Sequence, residues 1–263
     1  MSTCSKCGDP LTLEIEADDN DLDVGSSSAS NRTKTVPDDV ELSCGCHFHW
    51  QCLIDSYEIT QCPSCDRDIS SSSPTEGQQI LCNLHNEGGL QERLDIMPLL
   101  TEEAYLRAYP EDRKCRAFLE FCREGDLKAV VDLLQDTDED EDVDEDEDEE
   151  MVDEAGRPKK TVAEILRYQD PIGDMQSGLH AAVTGGSREV AWLLLLLASE
   201  LPELDIPALV YQEAAVLGIM REDQTGLVDI RSLRDAQGRS AEQLAAKAGP
   251  IWNGWVGNGR LSI

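Results

Sequence analysis

Residues 44–52 read CGCHFHWQC and residues 62–65 read CPSC. In the first block Cys44, Cys46, His49 and Cys52 are metal-ligand types at short spacing. Cys62 and Cys65 add a further pair, and Cys4 and Cys7 near the start bring the set to eight. A Cys-x-x-Cys turn lets two thiolates reach one ion at about 2.3 Å with no help from the rest of the fold, and zinc takes four such donors in a tetrahedron. Four short pairs therefore predict two structural Zn2+ ions. With four protein ligands apiece, neither ion keeps an open position for catalysis.

Four pairs in this order over residues 4–65 resemble the RING-type zinc finger. The resemblance implies a ligand assignment in which the first and third pairs share one ion and the second and fourth share the other. Cys4, Cys7, His49 and Cys52 then hold zinc 1, and Cys44, Cys46, Cys62 and Cys65 hold zinc 2. PHD fingers usually separate the fourth and fifth ligands by four or five residues, and only two lie between Cys46 and His49. RING fingers commonly have His at the position of Cys46. His47 is too close to His49 for a cross-braced arrangement, so Cys46 is the expected ligand and His47 an exposed ring.

The same resemblance implies recruitment of a ubiquitin-conjugating enzyme, with Lys6, Ile54, Tyr57, Pro63 and Arg67 at contact positions. A RING finger catalyses by holding the charged enzyme in a reactive pose. This chain departs from the family in its contact chemistry. Lys6 stands where an aliphatic residue is usual, Ser56 and Tyr57 where a Trp is usual, and Asp66 where Arg or Lys often follows the last ligand. A carboxylate cannot donate the hydrogen bonds of that basic residue.

Composition narrows the partners. Lys and Arg total 22 against 54 Asp and Glu in 263 residues, a formal charge of -32. That argues against nucleic acid and for basic protein partners or plain solubility. Seven of the ten cysteines fall in the ligand pattern, and Met1 leads directly into Cys4, so a reducing compartment is expected, cytoplasmic and/or nuclear. The longest apolar run, Ala191 to Ala198, is too short for a membrane span.

Along the chain, residues 1–68 form the expected zinc finger, with a long polar loop at 8–43 and few core candidates (Leu11, Leu13, Ile15, Leu42, Phe48, Leu53, Ile54, Ile59). Folding there is expected to depend on metal, whose apparent binding free energy in small zinc modules is roughly 10–16 kcal/mol. Residues 69–110 read as a linker with a short strand at GQQILCNLHNEGG, whose Cys82 and His85 lack a second pair, and a helix capped by Thr101. Pro110 suits the first turn of the next helix.

From Arg113 the apolar spacing turns helical, with breaks at Gly125-Asp126 and Gly185-Gly186. The stretch SGLHAAVTGG, preceded by DPIGD, and the stretch LRDAQGRSAEQLAAKAG resemble ankyrin repeats, giving about three degenerate units in residues 111–256. The resemblance implies an all-α ankyrin-like solenoid in which His180 ties neighbouring turns together. Cys115 and Cys122 share a helix face and are expected to be packed thiols. Trp252 and Trp255 are expected to cap the end, followed by a tail at 257–263.

Residues 136–150 contain 13 acidic side chains in 15, read as part of a disordered acidic insert at 136–158. It is either a solvated spacer or an electrostatic lure for a basic client. No phosphate loop, HExxH motif or nucleophile–base pair competes with these readings. The expected architecture is thus a small zinc-stabilised α+β RING-like module joined to an ankyrin-like helical repeat solenoid. The expected function is a RING-type ubiquitin ligase or ligase subunit whose repeats recruit a protein substrate, or alternatively a non-catalytic adaptor for a basic protein partner.

Overall fold

A computed structural model describes residues 3–16, 33–56, 60–73, 77–142 and 159–263. The chain divides into two compact units, Met1–Tyr105 and Leu106–Ile263. Among the described residues no helix is long and apolar enough to cross a membrane.

The first unit is mixed α+β. Strands β1 (Thr12–Glu16) and β2 (Thr33–Pro37) form an antiparallel hairpin with Thr12 opposite Pro37. A second sheet holds β3 (Asp39–Leu42), β4 (His47–Phe48), β5 (Ser70–Ser73), β6 (Gly77–Asn86) and β7 (Gly89–Asp95). Helix α1 (Trp50–Ile54) follows β4, and α2 (Met97–Ala108) follows β7. Along β6, Ile80, Cys82 and Leu84 are buried while their neighbours are not, the period-two pattern of a strand with one face on a core. That row packs with Val40, Phe48, Leu53, Ile54, Ile96 and Leu100.

Several sequence expectations change here. The polar stretch 8–43 carries β1, β2 and β3, because antiparallel backbone pairing does not require an apolar sequence when Leu11 and Val36 supply the buried contacts. Its residues 17–32 lie outside the described residues, as does Ile59. The segment 69–110 is no linker, since β6 pairs with β3 and inserts its apolar row into the same core as the zinc-finger residues. The module therefore has more core than residues 1–68 alone offer. Thr101 lies inside α2 and donates back to the Met97 carbonyl, while the Asp95 carboxylate accepts from the Met97 amide at the helix start.

The second unit is built from helices. A 3-10 turn at Pro110–Asp112 leads into α3 (Arg113–Glu124), followed by α4 (Leu127–Asp142), α5 (Val162–Arg167), α6 (Gly178–Gly185), α7 (Arg188–Ala198), α8 (Ala208–Val216) and α9 (Ala241–Ala248). Helix α3 packs on α6 and α6 on α9. Gly125 and Gly186 end α3 and α6 in the left-handed conformation, which glycine adopts without steric cost. Cys115, Phe118, Leu119 and Cys122 form the buried stripe of α3, and burial pushes the Cys115 thiol up to about 12 and Cys122 higher still. Both are packed, un-ionised thiols.

The turns before α6 and α9 resemble each other and touch. Gln169 donates to the Arg234 carbonyl at 2.7 Å, and the Ala236 amide to the Asp174 carbonyl at 2.8 Å. His180 accepts from the Ser177 hydroxyl at 2.8 Å through Nδ1 and donates through Nε2 to the Arg239 carbonyl at 3.0 Å. The helix pairs are unequal, and α8 with its flanking 3-10 turns stands between α7 and α9 in the chain.

Helix α4 continues through Asp142, so the first seven positions of the acidic run are helical, contrary to expectation. A helix anchored by buried Val130, Val131 and Leu134 propagates by one hydrogen bond per added residue, which outweighs like-charge repulsion of a few tenths of a kcal/mol per pair. Residues 143–158 lie outside the described residues. The carboxyl end is not a loose tail. Leu261 is fully buried, the Gly259 carbonyl accepts from Arg231, and Trp252 and Trp255 pack edge to face at 5.1 Å with Trp192 beside them.

Candidate metal centre

Both Cys-x-x-Cys turns fold the same way. At the first, the Cys4 amide donates to the Asp9 carbonyl and the Gly8 amide to the Cys4 carbonyl, with Thr3 bridged to Pro10. At the second, the Cys62 amide donates to the Arg67 carbonyl and the Asp66 amide to the Cys62 carbonyl, with Gln61 bridged to Asp68. The tight loop directs both sulfurs of each pair to one side. It needs left-handed backbone just after the second cysteine, supplied by Gly8 (φ 82°) and Asp66 (φ 56°). Cys44 and Cys46 lie in the β3–β4 turn, where Gly45 donates to the Leu42 carbonyl. His49 and Cys52 enter and begin α1.

The fold interleaves these pairs. Cys4, Cys7, His49 and Cys52 form one group and Cys44, Cys46, Cys62 and Cys65 another, with the ligand atoms of each group all within 4.8 Å of one another. Tetrahedral zinc with thiolates at about 2.3 Å requires ligand atoms a little under 4 Å apart. The His49 Nδ1 lies 3.4 Å from the Cys7 sulfur and 3.8 Å from that of Cys52. Each group can hold a metal ion, and the donor set is consistent with zinc. Cys46, not His47, joins the second group. The His47 ring is half-buried rather than exposed and bonds to Asp39 at 2.8 Å.

The surroundings orient the donors. His49 Nε2 donates to the Pro10 carbonyl at 2.8 Å, so the tautomer leaves the Nδ1 lone pair facing the three sulfurs. Asp38, itself buried, accepts from the Trp50 amide at the start of α1. Arg67 donates to the Cys44 carbonyl at 2.7 Å and to the Cys65 sulfur at 3.4 Å, tying two ligand loops of one group together. Pro10 and the turn of Arg67 onto the Cys44 carbonyl escaped sequence reading because a main-chain acceptor leaves no residue-type signature, and the Asp38 carboxylate because it reaches the start of α1 from twelve residues upstream.

The thiols within each group do not ionise alike. Burial raises Cys4, but the amides of Cys7, His49 and Lys6 outweigh it and bring the thiol down to about 6. Burial and the neighbouring sulfurs push Cys52 up to about 11. In the second group the Arg67 amide and guanidinium lower Cys65 to about 6, while burial and the other sulfurs raise Cys46 to about 12. Three crowded sulfurs in the first group and four in the second therefore resist sharing negative charge, which is the electrostatic condition that a dication relieves.

The positions implied as conjugating-enzyme contacts differ in burial. Lys6 is exposed, Pro63 half-buried, and Arg67 committed to the ligand loops. Ile54 is 4% exposed and belongs to the core, since α1 turns it beneath the sheet with Leu53. Tyr57 lies outside the described residues. Cys82 is buried in β6 and His85 exposed beside it, and neither belongs to either ligand group. A cleft of about 880 Å³ runs beside His49 and Cys52, with Leu13, Trp50 and Leu99 in its lining.

Fold and site define a mixed α+β protein with two interleaved four-ligand groups, each able to hold a metal ion. Compared with family models, with curated proteins and with solved structures, the chain matches none.

Proposed function

We propose that this chain is a RING-type ubiquitin ligase or a subunit of one, with two structural zinc ions in the first unit and a helical, ankyrin-like second unit that recruits a protein substrate. The observation that carries this reading is the interleaving of ligand pairs, first with third and second with fourth. Interleaving binds two distant loops at each ion and makes a rigid platform without an active-site side chain. A platform of that kind accelerates transfer by orientation alone. Turn-to-turn bonds through His180 and stacking of α3, α6 and α9 support the ankyrin-like reading of the second unit. Zinc here supplies cohesion only, and Cys4, Cys7, His49 and Cys52, with Cys44, Cys46, Cys62 and Cys65, would hold it.

The second reading is a non-catalytic adaptor for a basic protein partner. It is favoured by the contact positions: Ile54 is buried, Arg67 is turned onto Cys44 and Cys65, and Asp66 offers no donor. Single-turnover discharge of ubiquitin from a panel of charged conjugating enzymes separates the two. Zinc-dependent discharge that is lost in Cys62→Ala and raised in Asp66→Arg establishes the ligase. Absence of discharge across the panel, with two zinc ions bound per chain, rules out autonomous ligase activity and leaves the adaptor.

A further inference from the structure

The second unit contains a cleft of about 830 Å³ that no zinc chemistry explains. Its floor is apolar, with Leu196, Leu201 and Ala214 all buried and Ile219 half-buried. The Tyr211 hydroxyl in its lining is out of reach of solvent and has no hydrogen-bond partner. Glu200, Glu203 and Glu222 stand exposed around the cleft, and among the described residues none is in an ion pair. Among the described residues Arg221 is the one cation of the lining. Its guanidinium donates to the Ser199 and Leu201 carbonyls at 2.7 and 3.0 Å and forms no direct ion pair with those three carboxylates, which outnumber it.

We propose that this cleft binds a basic segment of a partner protein, admitting a lysine or arginine side chain. The aliphatic stem lies along Ile219 and the Tyr211 ring, and the cationic head lies among Glu200, Glu203 and Glu222. An apolar floor with acidic walls matches the two-part chemistry of such side chains, which bury a hydrocarbon stem and keep the charge at a polar rim. A small anion or an acidic peptide would be repelled by the three carboxylates, and a purely apolar segment would leave them without a counter-ion. The proposal rests on the reading of the second unit as the part that recruits a client.

The test uses the full-length, zinc-loaded chain at physiological ionic strength. Fluorescence anisotropy follows a labelled peptide of alternating lysine and alanine, with the same peptide carrying norleucine for lysine as the control. Three variants are compared: Glu200→Gln with Glu203→Gln and Glu222→Gln, Tyr211→Phe, and a chain whose acidic residues at 138–150 are replaced by their amides. The triple variant is expected to lose about tenfold or more in affinity, and the amide-substituted run to keep most of it. Tyr211→Phe, which keeps the ring that lies against the stem and drops only the enclosed hydroxyl, is expected to leave the affinity unchanged without lowering the melting temperature of the free chain. No binding by the native chain, unchanged binding by the triple variant, binding that follows the acidic run, or equal binding of the norleucine peptide overturns the proposal. Peptide binding without ubiquitin discharge would remove the ligase reading and leave the cleft standing, and discharge without peptide binding would do the reverse.

Discussion

Asp66 occupies in the second cysteine loop the place that Gly8 occupies in the first, with the same pattern of backbone bonds and the same left-handed backbone. For an L-residue that conformation costs roughly 1–2 kcal/mol, while glycine there costs about 0.5–1 kcal/mol in chain entropy. Asp66→Gly is therefore expected to stabilise the zinc-loaded chain by up to about 1 kcal/mol, and Gly8→Ala to destabilise it by about 1 kcal/mol. Denaturant midpoints measured with zinc in excess check both. A loss of stability in Asp66→Gly would mean that the carboxylate makes a compensating contact.

Metal removal should act on one unit only. Both four-ligand groups lie within Met1–Tyr105, and no such group is found among the described residues of Leu106–Ile263. A strong chelator is expected to release two zinc ions per chain and to lower the melting transition of the first unit, leaving the helical signal of the second. Mass spectrometry after iodoacetamide gives a finer readout. The ligand cysteines become alkylated as zinc is removed and the first unit loosens, while Cys115 and Cys122, buried in the second unit with thiols pushed up by burial, stay unlabelled until that unit unfolds. Loss of the entire helical signal on chelation would contradict the independence of the units.

The ligand groups were legible because short Cys/His spacing leaves few ways to fill a tetrahedron, and the RING resemblance supplied the interleaving. Helix breaks at Gly125 and Gly186 were legible because left-handed helix ends call for glycine. The strands within 8–43 were hidden by the polar composition around them, although Thr12–Glu16, TLEIE, alternates strictly between polar and apolar residues. Nor was the pairing of β3 with β6 legible, which sets Leu42 opposite Cys82, forty positions further along the chain. Ile54 was assigned to a contact surface by family position, and only the fold shows that α1 turns it inward. The cleft around Tyr211 had no signature at all, because its walls come from the end of α7, from α8 and from the loop after it.

Close approach of α3 and α6 depends on Gly185. A Cβ there would lie 1.8 Å from the Arg123 carbonyl oxygen, a backbone atom that cannot step aside. Gly178, one face-repeat earlier on α6, likewise lies against the Phe118 ring. Gly185→Ala normally favours a helix by propensity, yet here the clash is expected to dominate and cost about 3 kcal/mol or more. Thermal melting of the second unit checks this, and a neutral or stabilising Gly185→Ala would refute the tight packing of these helices.

The buried pair Asp229–Arg231 sets an acid limit on the second unit. Asp229 accepts from the Arg231 guanidinium at 2.6 to 3.1 Å and from the amides of Glu200 and Arg231. Burial alone would raise this carboxyl, but the Arg231 guanidinium and the two amides outweigh it and hold it below the ordinary carboxylate range. A depressed folded-state pKa means that the unfolded chain binds the proton more tightly. The stabilisation is thus fully present above the unfolded value of about 3.9 and is lost as pH falls through the lower folded value. Stability of the second unit should therefore be insensitive to this group near neutrality and fall steeply below about pH 4. Asp229→Asn should remove that part of the acid dependence while costing about 3–5 kcal/mol at neutral pH, because it leaves the Arg231 charge buried beside an amide. Urea melts at neutral pH and through the acid range, followed by the helical signal, measure both effects. An Asn variant with the native acid profile would assign the acid sensitivity to other carboxylates.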